Sequence, residues 1–264
     1  MNQLVLILTS MSLFVLFTWI VYYSNPLFVK RLIGENDPFE RKVFHGNVPF
    51  WQLILLAIVF PVLCLFLVTL WFKVSELGEY HFVGMSQKSL LWWIVCMIAF
   101  AAYGTGTHAA SVSIRHYMVN LQVTKAFRVT EFYHHLVSHF LIIMSIIGIG
   151  MLLALHQFNN PLVTPLTGVE AVLCMSGGMI AGSVLALLII EGRGIFYSFP
   201  SLILGITIVM YWFMDEQLQV VSVPIADFVL AIYGGALLTM LYKRLKNGSL
   251  QETIGEFFHA TDEV

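Results

Sequence analysis

Between Thr130 and Ser145 the chain reads TEFYHHLVSHFLIIMS, and four of its side chains, Glu131, His134, His135 and His139, can bind a metal ion or move a proton. Most of their neighbours are apolar, and ionisable groups in hydrocarbon are costly enough to need a reason. At about 100° per residue, Glu131, His135, Ser138 and His139 fall within an arc of roughly 100° on an α-helix, with His134 on its flank. His135 and His139, four apart, suit two metal ligands on one face. Glu131, four residues before His135, suits a ligand, a partner that orients an imidazole, or an acid–base group.

A second polar face lies upstream, where Thr105, His108, Ser111 and Arg115 share one side of a helix by the same arithmetic. Counting ~1.5 Å per residue from the helix ends places His108 and His139 at a common depth, roughly 10–12 Å below one membrane surface. His108 is therefore the expected third ligand beside His135 and His139. His134, His116 and His45 are further candidate donors, and Arg115 is placed to hold an anionic head group. Zinc or iron fits such a donor set. Three other chemistries use the same residues. One is haem b with His108 and His139 as axial ligands and Gly104 and Gly106 making room for a porphyrin edge. Another is a proton or ion pathway continuing through Glu170 and Asp227. The third is buried histidines that only lock helix packing.

The elements that must carry these residues follow from composition. Of 264 residues, 59% are hydrophobic and 11% charged, which excludes a soluble domain and predicts an all-α, polytopic transmembrane bundle. The net charge of -2 comes without a basic cluster, so nucleic acid is excluded as a partner, and membrane lipid is the expected one. Apolar runs at about 3–23, 49–72, 90–115, 131–155, 168–190, 198–214 and 224–243 give seven spans, of which the sixth is the shortest. Lys30, Arg31, Arg41, Lys42, Lys125, Arg128, Lys243, Arg244 and Lys246 fall on one side of this plan, against Lys73 and Lys88 on the other. That bias predicts the N-terminus outside and the C-terminus in the cytoplasm, with the histidines facing the cytoplasm. The expected location is a multi-pass place in a membrane, the inner or plasma membrane for a bacterial chain.

Residues 1–247 form the expected membrane domain and 248–264 a cytoplasmic amphipathic tail, opened by the capping pair Ser249 and Glu252. Asn25-Pro26 and Asp37-Pro38 each read as a helix start, giving two short helices after span one, with His45 at the end of the second. Pro61 is expected to kink span two. Ala102, Gly106 and Ala110, and the GxxxG pair Gly178 and Gly182, predict close helix approach, and through such surfaces a membrane-protein partner could dock. Cys64, Cys96 and Cys174 read as small hydrophobes.

HHLVSH differs from the HxxxH and HxxHH boxes of membrane desaturases and hydroxylases in placing the pair first. The seven-span, N-outside plan resembles that of intramembrane zinc hydrolases of the ceramidase and adiponectin-receptor type, but those draw histidines from the last span and 224–243 holds none. No residue role is carried over from either. The sequence thus leads to a metal-dependent membrane enzyme acting on a lipid or other apolar substrate. The alternatives are a transporter or proton-coupled carrier, and a haem-bearing or non-catalytic membrane subunit.

Overall fold

The computed structural model describes residues 1–23, 50–79, 86–117, 124–192, 194–215 and 220–247. Among these the chain forms seven long helices and no strand: α1 (Gln3–Tyr23), α2 (Phe50–Ser75), α3 (Gln87–Tyr117), α4 (Lys125–Asn159), α5 (Gly168–Glu191), α6 (Ile195–Asp215) and α7 (Pro224–Asn247). All but α6 are long and apolar enough to cross a membrane, and α6 adds the shorter apolar stretch Tyr197–Tyr211. The protein is a multi-pass, all-helical membrane protein. The two short helices expected after span one, His45 and the amphipathic tail lie outside the described residues. Helix α2 runs unbroken through Pro61.

Neighbour contacts fix the direction of each helix. Gly148 on α4 faces Met97 on α3, while Gly104 faces Ser138, Leu141 and Ile142, so α3 and α4 are antiparallel. On α7, Val229 and Tyr233 face Gly150, and the Tyr233 hydroxyl donates to the Ile147 carbonyl at 2.8 Å, so α4 and α7 are antiparallel as well. Helices α5 and α7 are parallel, with Cys174 beside Pro224 and Ser183 beside Thr239. The sequence alternates up and down throughout, as short connections require.

The glycine pair does its work inside the chain. A Cβ at Gly178 or Gly182 would run into the backbone of Phe228 or Ile232, and one at Gly235 into the backbone of Met179. Helices α5 and α7 therefore meet backbone to backbone, and the GxxxG surface expected to be open to a docking partner is covered by α7. Around this contact lies a continuous core in which Ile143, Ile189, Leu202, Phe228 and Tyr233 are all buried.

The face where the chain begins is stitched by polar contacts. Thr167 and Glu170 form a capping box at the start of α5, and Glu170 also accepts the Asn2 amide at 2.5 Å, tying α1 to α5. Gln157, wholly buried near the end of α4, accepts from the amides of Ile225 and Ala226 through Oε1, the latter at 3.2 Å. These are first-turn amides of α7, which have no partner within their own helix. Gln157 is thus an N-cap supplied from 68 residues away. Gln157→Leu keeps the volume but leaves both amides dry, so unfolding in detergent should show a loss of about 2–3 kcal/mol with helix content retained. A stability unchanged within about 0.5 kcal/mol would show that the cap is dispensable.

Candidate metal centre

Helix α4 is not α-helical throughout. Residues Lys125–Glu131 and His139–Asn159 are α, but Phe132–Ser138 between them form a π-helix. Hydrogen bonding from i to i+5 brings residues five apart onto one face, and such segments are frequent at functional sites. His134 and His139 are five apart. The departure decides which imidazoles meet.

Three buried histidines converge: His108, His134 and His139 are 8%, 3% and 2% exposed, and their ligand atoms all lie within 4.8 Å of one another. The ring centroids of His108 stand 4.7 Å from His134 and 5.0 Å from His139. The third member of this triad is His134, where α-helical periodicity had placed His135, because the π segment shifts the two residues around the helix. His135 turns instead to Glu131, with Nε2 to Oε2 at 3.2 Å, both side chains half-buried. Glu131, His134 and His135 form a second group at metal-ligand spacing, sharing His134 with the first. Both groups lie on α3 and α4, the two helices expected to carry the site.

Nε2 of His108 and Nε2 of His134 are 3.2 Å apart. Two nitrogens each bonded at ~2.0–2.1 Å to a tetrahedral ion are separated by about 3.3 Å, so this pair already has ligand spacing. The same distance also allows a hydrogen bond between neutral rings. The ligand atoms of all three rings lie within 4.8 Å of one another, so drawing them to tetrahedral spacing takes at most about 1.5 Å of closure.

The third ring is held by α5. Nδ1 of His139 lies 3.1 Å from the Leu188 carbonyl oxygen. A carbonyl only accepts, so Nδ1 carries the hydrogen, and the neutral ring presents a lone pair at Nε2. This is the outer-shell bond that fixes the tautomer of a metal-binding histidine. The Leu188 carbonyl also accepts the Gly192 amide at 2.9 Å, which places Gly192 against the imidazole. A Cβ at Gly192 would overlap the His139 ring.

On α3, Gly104 brings the helix onto the π segment, since a Cβ there would come within 3.0 Å of Ser138, Leu141 and Ile142. That space, expected to admit a porphyrin edge, is filled by α4, while Gly106 faces open space. Ser138 donates back to the His134 carbonyl, and Ser111 to those of Thr107 and His108. These hydroxyls serve the helices rather than the imidazoles. Arg115 and His116 lie in the last turns of α3, but their side chains, like that of Glu191, are outside the described residues, as is His45.

Comparison with known protein families, curated proteins and solved structures yields no match. Function is therefore read from the site alone.

His108 and His139 also form part of the wall of a cavity of about 320 Å³, bounded by α1, α2, α3, α4, α5 and α7. Its wall is otherwise almost wholly apolar. Among the described residues that line the cavity, no polar track leads from the imidazoles toward the opposite face, where Glu170 is engaged with Asn2 and Thr167.

Sequence reasoning missed Leu188 and Gly192, which contribute a carbonyl and an absence of side chain. Gly192→Ala should weaken zinc binding by about 10–100-fold by displacing His139, with the circular dichroism spectrum unchanged. His134→Ala should abolish stoichiometric binding, whereas His135→Ala should cost no more than about 100-fold, as loss of an outer-shell partner does. The reverse ranking, measured by isothermal titration with zinc, would restore His135 to the triad.

Proposed function

We propose that the protein is a metal-dependent membrane enzyme acting on a lipid or other apolar substrate, with His108, His134 and His139 as ligands. The observation that carries this reading is the convergence of three buried imidazoles from two helices at metal-ligand spacing. Simple packing needs one or two hydrogen-bonded histidines; it does not need a third that is packed against the other two with its tautomer set by a backbone carbonyl. A zinc ion bound there would supply Lewis-acid chemistry suited to hydrolysis, and an iron ion would supply redox chemistry.

The chain's own groups then have distinct tasks. Nε2 of His108 and Nε2 of His134 face each other at 3.2 Å, and the carbonyl of Leu188 holds the neighbouring His139 ring in the tautomer whose Nε2 carries the lone pair. Glu131 accepts the Nε2 proton of His135 across 3.2 Å, and the pair is exposed enough to exchange protons with water at the membrane surface. Glu131 is the proposed acid–base residue, with His135 positioning it. Arg115, on the last turns of α3, is the proposed holder of an anionic head group. The bias of Lys125, Arg128 and Lys243 toward this end of the bundle supports a cytoplasm-facing site. The apolar cavity speaks against the carrier reading, because a proton or ion path needs polar groups along its length.

Elemental analysis of the purified full chain should find about one zinc or iron per molecule, absent from His108→Ala and His139→Ala. Turnover of a long-chain lipid ester should fall about 10²–10⁴-fold in Glu131→Gln with metal content retained. A metal-free protein whose stability is unchanged by both histidine substitutions would overturn the proposal.

A further inference from the structure

The cavity beside the imidazoles has a shape and a polarity that the metal centre alone does not explain. On α4 its wall runs from His139 to Leu153, and on α3 from Ile98 to His108. At 1.5 Å per residue these rows are about 21 and 15 Å long. One leaflet of a bilayer is about 15 Å of hydrocarbon, the reach of a single lipid chain. A volume of about 320 Å³ lies at the lower end of the range of small-ligand pockets.

Polarity is confined largely to one end. His108, His139 and Thr105 border the cavity where α3 and α4 carry the cluster, and Thr18 and Trp19 reach it from the end of α1. Away from that end the wall is built by side chains such as Met11, Leu63, Ala101, Ile146, Val184 and Val229. Hydroxyls that border the cavity elsewhere are turned away, as Ser145 donates to the Leu141 carbonyl at 2.6 Å. At the polar end the Thr105 hydroxyl also donates to its own helix, to the Ala101 carbonyl at 2.8 Å, which leaves the two imidazoles as the main polar groups there. An apolar space is stable without water and takes an apolar guest. Six helices contribute to the wall, which reaches the outer surface of the bundle at Ile146.

We propose that this cavity binds one hydrocarbon chain of a lipid, with the polar end of that molecule against His108 and His139 and the tail running toward the opposite face. As an assignment of substrate class it rests on the metal-enzyme reading; as a binding site it stands on the cavity alone. Selectivity for chain length follows from the finite length of the apolar rows, about 15–21 Å. Ala101, about 10 Å along α3 from His108, sits where a larger side chain would cut the pocket short.

The test uses the purified full chain in nanodiscs and palmitic acid bearing a mid-chain diazirine. Photolabelling should place adducts on cavity residues such as Leu63, Ile143 and Val229. Unlabelled palmitic acid should compete at least tenfold better than octanoic acid. Ala101→Trp should reduce palmitate labelling at least tenfold; Val184→Phe serves the same purpose should the tryptophan variant fail to fold. Labelling confined to the lipid-facing positions Phe17 and Leu65, or unaffected by either substitution in folded protein, would overturn the inference. His134→Ala separates the two proposals, since His134 does not line the cavity and its loss should remove the metal and leave labelling intact. Metal without cavity labelling sinks only the chain site; cavity labelling without metal sinks only the metal centre.

Discussion

The structure turns on a change of helical register. Seven π-helical residues, Phe132–Ser138, set His134 on the face of His139 and against His108, while His135 keeps its i, i+4 contact with Glu131. Without that segment the helix would present a pair four residues apart, and the buried triad would not assemble. Gly104 lets α3 approach the π segment closely enough for His108 to touch His134. The hydrogen bond from His139 to the Leu188 carbonyl then fixes the third ring from α5. One backbone irregularity, one missing side chain and one carbonyl therefore determine where three nitrogens point.

Much of this architecture is legible in the sequence because hydrocarbon is a demanding solvent. Runs of some twenty apolar residues declare themselves, and the helices found begin and end within a few residues of those runs, except that α4 starts six residues earlier, at Lys125. The pairing of His108 with His139 is legible too, since depth along antiparallel helices is a matter of counting. The glycines at 178 and 182 packed as their spacing implies, though onto α7 of the same chain. What could not be read was the choice between His134 and His135. Periodicity arguments assume 3.6 residues per turn, and nothing in FYHHLVS announces a wider turn. Nor could the roles of Leu188 and Gly192 be read, because a carbonyl has no residue-type signature and a glycine's significance depends on what lies opposite.

The two ends of the bundle are built on different terms. At the end where the chain starts, polar groups are matched to one another: Thr167 with Glu170, Glu170 with Asn2, Asn160 with the carbonyls of Glu79 and His156, and Gln157 with the first amides of α7. At the other end the imidazoles crowd together and border an apolar space. A stitched end beside an end with concentrated, reactive donors is the division expected when stability and chemistry are kept apart in one fold.

The remote cap on α7 bears on how such a bundle is assembled. Gln157 is synthesised and inserted well before Pro224, so its acceptor is already in place when the last helix enters. Seating of α7 is thereby tied to α4: its two leading amides keep this acceptor only while Gln157 stands beside them, so a slide of α7 by one turn along α4 would leave both without it.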